Sequence, residues 1–280
     1  MEKGGDGMSY VWFFLGALWY TLGAVVICGL VVSLCRSLFL RMMGGGFGRG
    51  VVIATSILGT PIHELGHALM CLLFGHRITE MSLWQPRSGD GNLGFVTHAY
   101  KKRNPYHVLG NLFIAVGPIF SGLAVITLAL RVGFPSVFTA YTQNAADLAT
   151  AGEGGFPLVS EGLRMLPSLV EALTAETPDV PLWGMIVALV VILAVSQHIS
   201  LSPADVKGGV TALPLYGILI LILTVICGLL GQPAMDSVTA ALRLFSGYMT
   251  ALFTVVLVAS LLQLILALPV WLVRLLTGRA

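Results

Sequence analysis

The sequence predicts an all-α polytopic membrane protein of about six transmembrane helices, with a small β-hairpin between spans two and three. Composition is the first observation behind this. Of 280 residues, 56% are hydrophobic and only 10% are charged, against about 25% charged in an ordinary soluble domain. A soluble fold of this composition would expose apolar surface over most of its area. The second observation is the recurrence of apolar runs near the roughly 20 residues needed to cross about 30 Å of hydrocarbon. The third is the pair of alternating segments that interrupts them after the second run. The formal net charge is +2, and the longest basic run is Lys101-Lys102-Arg103. Nothing here points to nucleic acid.

The whole chain, 1–280, reads as a single integral membrane domain. Its first span runs from about Tyr10 to Cys35. The segment before it lacks a basic start and a small-residue cleavage site, so this run is expected to be retained rather than removed as a signal peptide. Arg36 to Gly50, with three consecutive glycines and three arginines, is expected to be a flexible interfacial link. The second span covers about Val51 to Phe74. The stretch Ile78-Thr79-Glu80-Met81-Ser82-Leu83-Trp84, a Ser88–Asn92 turn and Gly94-Phe95-Val96-Thr97-His98-Ala99-Tyr100 then read as a hairpin. It is either a plain surface loop or an edge strand offered to an extended peptide. The third span is about Val108 to Leu130. The acidic link Arg131–Pro181 reads as a solvated cap with a short amphipathic helix over Leu158–Ala175. Spans four, five and six follow at about Leu182–Leu201, Val210–Leu230 and Leu244–Val270. The catalytic core is then about 51–209, with accessory spans at about 10–35, 210–230 and 244–270. The four cysteines lie in apolar segments without C-x-x-C spacing and read as buried thiols.

Chemistry concentrates in the second span, at His63-Glu64-Leu65-Gly66-His67. Helical positions four apart share a face, so His63 and His67 can grip one metal ion. Glu64 is placed to reach a metal-bound water without being a ligand. Ionisable side chains in an apolar span are costly, which marks them as functional. A catalytic zinc usually has three protein ligands, and Asp205, His198, His76, His98 and His107 are the candidates for the third. The polar segment from Gln197 to Gly209 contains Pro203 and two glycines. Non-helical backbone at membrane depth is tolerated where it lines a cavity. A broken helix here would turn Asp205 toward the motif, so Asp205 is favoured, with His198 as the alternative metal ligand. The histidines beside the hairpin read as surface residues.

These residues give the chain a resemblance to the site-2 protease family of intramembrane zinc metalloproteases. It is carried by His63-Glu64-Leu65-Gly66-His67-Ala68, by Val116-Gly117-Pro118-Ile119-Phe120-Ser121, which is similar to the family's Ala-Gly-Pro-x-x-Asn element, and by Ser202 to Gly209, similar in placement to its Leu-Asp-Gly element. The likeness covers spans two to four, about half the chain. Ser121 and Gln197 stand where the family usually has Asn, and Ala204-Asp205-Val206 replaces Leu-Asp-Gly. The resemblance implies Zn2+ held by His63, His67 and Asp205, Glu64 as catalytic base, and Gln197 as a substrate-binding position. It also implies a membrane-protein substrate cleaved in or near its transmembrane segment.

Basic residues tend to stay cytoplasmic. With the hairpin inside, that side carries Lys3, Arg77, Arg87, Lys101, Lys102, Arg103, Lys207, Arg274 and Arg279, against Arg36, Arg41, Arg49, Arg131, Arg164 and Arg243 outside. The expected location is the cell membrane, with the site reached from the cytoplasm. Two rival readings stand. One is a zinc protease acting on exposed peptides, whose families resemble this chain less because they take a Glu as third ligand. The other is a non-catalytic transporter or metal-binding assembly factor using the same ligands structurally. The sequence leaves the oligomeric state open.

Overall fold

The computed structural model describes residues 5–87, 92–150, 167–168, 170–172, 174 and 180–277. Helix α1 (Gly5–Leu18) passes through a π-helical turn, Trp19–Gly23, into α2 (Ala24–Met43). Helix α3 (Gly45–Leu73) carries the motif. Strands β1 (Arg77–Ser82) and β2 (Phe95–Ala99) follow, then α4 (Pro105–Gly133) and α5 (Pro135–Thr150). After a stretch that is mostly not described come α6 (Leu182–Ser196), α7 (Pro203–Val210), α8 (Leu213–Leu230) and α9 (Gln232–Leu276).

Among the described residues, four helical stretches are long and apolar enough to cross a membrane: Ser9–Met43, Pro105–Gly133, Leu213–Leu230 and Gln232–Leu276. The motif helix α3 is not among them, because Thr55, Ser56, Thr60, His63, Glu64 and His67 interrupt its apolar character. Helix α6 is apolar but shorter, at 15 residues. The six expected spans thus reduce to four that stand on length and composition alone.

Three expected links are helical instead. The segment from Arg36 to Gly50 is not a flexible link, since only Gly44 leaves the helix, at φ 55°. The end of α2 is capped by Arg274, whose Nη1 donates to the carbonyls of Arg41 (3.0 Å) and Met42 (3.1 Å). That contact satisfies acceptors a helix terminus otherwise leaves open. Helix α9 begins at Gln232, so Arg243 lies inside a helix rather than ahead of one. The start of the acidic link is α5, which joins the core instead of capping it. Phe134, Val137, Tyr141 and Ala145 recur at helical spacing and are buried in the main hydrophobic cluster, as one apolar face of a helix requires. Of the amphipathic helix expected over Leu158–Ala175, residues 167–168, 170–172 and 174 are helical and the rest lies outside the described residues.

Helix α4 is the centre of the site-bearing half, packing against α3, α6 and α7, while α9 runs along α2 and α5. Ile119, Leu123 and Ile126 of α4 meet Ile192, Val195 and Ile199 around α6 and Val25 and Val32 of α2. Helices α3 and α4 touch backbone to backbone. A Cβ on Gly66 would lie 2.6 Å from the Gly117 carbonyl, and one on Gly117 would lie 2.5 Å from the Gly66 oxygen. Small residues are what permit such an approach between helices. The two glycines that flank the chemistry therefore set how close α4 comes to the motif.

The hairpin is antiparallel, with Ile78 opposite His98 and Ser82 opposite Phe95, and a bulge between Ile78 and Glu80. Its expected turn at residues 88–91 lies outside the described residues. Trp84 Nε1 donates to Ser56 Oγ at 2.9 Å and ties the hairpin to α3. The three cysteines described, Cys35, Cys71 and Cys227, are buried and unbridged, as expected.

Replacing Gly117 by Leu forces a side chain into the Gly66 backbone. Overpacking of this kind typically costs about 1–3 kcal/mol. It should appear as a lower thermal midpoint in detergent than for the control Gly217→Ala, since a Cβ at Gly217 would meet nothing within 4 Å.

Candidate metal centre

His63 and His67 lie one turn apart on α3, with ring centroids 4.9 Å apart and their Nε2 atoms 3.2 Å apart. Asp205 comes from α7. Its Oδ1 lies 3.2 Å from His67 Nε2. One ligand atom from each of the three residues falls within 4.8 Å of the others. The broken helix expected around Asp205 is present. Helix α6 stops at Ser196 and α7 starts at Pro203. Ser202 caps α7 by accepting from Asp205 N (3.1 Å), and Asp205 Oδ2 in return accepts from Ser202 N (2.8 Å). This is a capping box with an aspartate in the usual Glu position. It fixes one carboxylate oxygen and leaves the other facing the histidines.

The second nitrogen of each ring decides what the cluster can do. His63 Nδ1 lies 2.6 Å from the carbonyl oxygen of His198, and His67 Nδ1 lies 2.7 Å from that of Ile114. A carbonyl only accepts, so both Nδ1 atoms carry the hydrogen. In neutral imidazoles the two Nε2 atoms are then bare acceptors. Two lone pairs and a carboxylate oxygen thus converge with no proton between them, an arrangement that a cation relieves. Two ligands each about 2.0–2.1 Å from a tetrahedral ion lie about 3.3 Å apart, which fits the 3.2 Å spacings here. The group can hold a metal ion.

Both carbonyls are available for a structural reason. Pro118 has no N–H, so Ile114, four residues earlier in α4, lacks its normal helical donor. His198 lies in the break between α6 and α7, where no helical ladder claims its oxygen. A histidine ligand fixed through its other nitrogen is the usual supporting arrangement of metal sites.

Glu64 is buried, at 6% exposure. With His63, His67 and Asp205 it lines a cavity of about 530 Å³, which is also lined by Asn92–Val96, the segment that leads into β2. The residue before β2 is in close contact with α3: a Cβ on Gly94 would lie 2.7 Å from Thr60 Cγ2 and 2.9 Å from Glu64 Cγ.

The alternative ligand His198 lines the cavity too, but its ring is engaged elsewhere, with Nε2 3.2 Å from Thr55 Oγ1 and Nδ1 3.4 Å from Thr60 Oγ1. It reaches the site through its backbone. Gln197 is buried and turned toward α9, where its Nε2 donates to Gln263 Oε1. It is not among the residues lining the cavity. His76 is no surface residue. It is buried, its Nε2 lies 2.8 Å from the His107 carbonyl oxygen, and its Nδ1 lies 3.0 Å from His98 Nδ1. Burial lowers the pKa of both His76 and His98 below the ordinary imidazole value and holds them neutral.

Two cavity residues carry no motif. Arg36 projects from α2, and its Nη1 donates to Ser200 Oγ at 3.0 Å. Asn111, on α4, donates to Thr211 Oγ1 at 3.3 Å. The only hint of Arg36 in the sequence is a lone cation at the edge of an apolar run.

No family model, curated protein or solved structure matches the chain, so the geometry alone carries the functional argument.

Purified protein should hold one divalent metal ion per chain. Asp205→Ala should abolish this and His198→Ala should preserve it, by elemental analysis after dialysis. Retention in Asp205→Ala would reject the three-ligand site. Pro118→Ala restores an N–H that competes for the Ile114 carbonyl, and loss of such support typically costs about 10–100-fold in metal affinity, measurable by chelator competition.

Proposed function

We propose that this chain is a zinc-dependent intramembrane endopeptidase of the site-2 protease kind, acting on membrane-protein substrates. The observation that carries the reading is the placement of Glu64 in the same cavity as the three converging ligand atoms. A purely structural metal site has no use for a buried carboxylate that is not a ligand. Two histidines and one carboxylate also leave one tetrahedral position open, the arrangement of catalytic rather than structural zinc.

Zinc held there would acidify a bound water and polarise the scissile carbonyl. Glu64 takes the proton of the attacking water and delivers it to the leaving amine. His63 and His67 stay neutral and oriented because their Nδ1–H groups remain bonded to backbone carbonyls. Water oxygen joins the acyl carbon, the C–N bond breaks, and the two water protons end on the new acid and amine groups. Arg36 adds a positive charge that no carboxylate of the described residues pairs. A dication would be balanced by Asp205 and Glu64 together, so the guanidinium leaves the cavity receptive to the negative charge that develops on the carbonyl oxygen.

A helical substrate hides its carbonyls in its own hydrogen bonds and must unwind locally to be cut. The β2 edge along the cavity is suited to hold the unwound strand by backbone pairing. The charge distribution favours a cytoplasmic hairpin and a site reached from that side, within a cell membrane.

The decisive variant is Glu64→Gln. Metal content should be unchanged, while cleavage of a co-expressed membrane substrate falls by at least the 10²–10⁴-fold that general base catalysis typically contributes, about that range. Undiminished cleavage would remove Glu64 from the chemistry. Absence of cleavage in the wild type across a panel of single-span substrates would favour a non-catalytic metal-binding protein.

A further inference from the structure

The metal centre depends on where α6 stops, and a side chain from α9 meets α6 at that point. The last carbonyls of a helix lack donors from their own ladder. In a continued α6 the Leu193 carbonyl would accept from the Gln197 N–H, but that N–H goes to Val195. Gln263 of α9 takes its place. Its Nε2 donates to the Leu193 oxygen at 2.8 Å and to Ser196 Oγ at 3.2 Å. Its Oε1 accepts from Gln197 Nε2. One amide thus engages three residues at the end of α6, and Ser196, Gln197 and Gln263 are all buried.

Gln263 is the only Asn or Gln of α9 after Gln232, in a helix long and apolar enough to cross a membrane. The hydroxyls of Thr250, Thr254 and Ser260 donate to carbonyls of their own helix, whereas Gln263 reaches across to α6. Its amide offers the donor and the acceptor that this helix end needs, and an apolar side chain of the same size offers neither. The pairing leaves Gln197 Oε1 buried without a partner among the described residues. Stability alone does not favour such an acceptor.

What the contact fixes is the next residue. The His198 N–H bonds the Val195 carbonyl at 2.9 Å, and the His198 carbonyl lies 2.6 Å from His63 Nδ1. Without that carbonyl, His63 has another acceptor close by. The Nε2 atoms of His63 and His67 are 3.2 Å apart, so a His63 with its hydrogen on Nε2 would donate to His67. Both nitrogens would then be lost to a metal.

We propose that Gln263 is a positioning residue of the metal centre. It holds the end of α6 so that the His198 carbonyl keeps the His63 hydrogen on Nδ1 and leaves Nε2 open. This rests on the metal-centre reading and is independent of peptidase activity.

The test uses the full-length protein in detergent and two readouts. The first is metal affinity by chelator competition. Gln263→Met nearly keeps the volume and removes the amide. It should lower affinity about 10–100-fold, the typical cost of losing such support. Gln263→Glu keeps the shape and, as the neutral acid, one donor and one acceptor, and should retain most of the affinity. Gln197→Met removes the donor to the same amide and should act in the same direction as Gln263→Met. Ser260→Ala, a buried position whose hydroxyl bonds only its own helix, should bind metal as the wild type does. The second readout is NMR of the histidine ring nitrogens in metal-free protein at about pH 8, where an ordinary imidazole is neutral. His63→Gln and His67→Gln identify the two signals. Gln263→Met should shift His63 to the Nε2–H form and leave His67, which bonds the Ile114 carbonyl of α4, in the Nδ1–H form. General loosening would move both. Unchanged affinity in both methionine variants, equal loss in Gln263→Glu, or joint displacement of both rings would overturn the proposal. Failure of both methionine variants to fold would also overturn it, by making the amide pair a core contact. A wild type that binds no metal would remove the metal centre, while the ring readout would still decide the role of Gln263.

Discussion

Two backbone carbonyls hold the candidate metal centre together. Each imidazole of the motif has two nitrogens, and the one that can face a metal is chosen by what the other one binds. Here the Ile114 and His198 oxygens take the Nδ1 hydrogens of His67 and His63. Neither oxygen would be free in an unbroken helix. Pro118 releases the first, and the interruption between Ser196 and Pro203 releases the second. The proline inside α4 and the break after α6 are therefore parts of one device. Both leave a carbonyl without its helical donor, and both aim it at the same pair of side chains.

The rest of the site-bearing half follows from bringing those oxygens within reach. Gly66 and Gly117 let α3 and α4 meet without intervening side chains, so the Ile114 oxygen lies at hydrogen-bond distance from His67. On the other flank, a Cβ on Gly59 would run into the His198 ring and lie 2.8 Å from the Ala194 oxygen, so α3 and α6 are equally close. Ser121 Oγ donates to the Ile62 carbonyl at 2.7 Å and adds a polar tie at the same crossing. The polar residues of α3 are expensive in apolar surroundings unless partnered, and Thr55, Ser56, Thr60, His63 and His67 each find a partner on a neighbouring element, Thr55 and Ser56 in addition to carbonyls of their own helix. That dependence explains why α3 is the least membrane-like of the long helices, yet sits against α4 and α6.

Much of this was legible in the residues. The apolar composition, the two strands of the hairpin, the motif spacing and the break ahead of Asp205 each follow from a local rule of period or helix capping. What misled was the treatment of charged residues as punctuation. Arg36, Arg41 and Arg243 read as loop residues because each interrupts an apolar run, whereas all three lie in helices. Long side chains let a helix carry a cation and place the charge in a cavity or at a helix end. The acidic link hid α5 for a related reason: its total composition is polar, but Phe134, Val137, Tyr141 and Ala145 line one face. His76 read as a surface group because nothing local shows that the hairpin folds back over it.

By itself the sequence determined the two histidines, the glutamate and their common helix, because a four-residue spacing means the same thing in any helix. It also favoured a break in the helix ahead of Asp205, from Pro203 and the polar residues around it. Only the tertiary structure decided that Asp205 rather than the His198 ring joins the pair, that His198 contributes its carbonyl instead, and that Arg36 enters from a helix outside the motif-bearing core. Those outcomes depend on distances between elements far apart in the chain. Close helix packing at glycines sets those distances, and no local pattern encodes them.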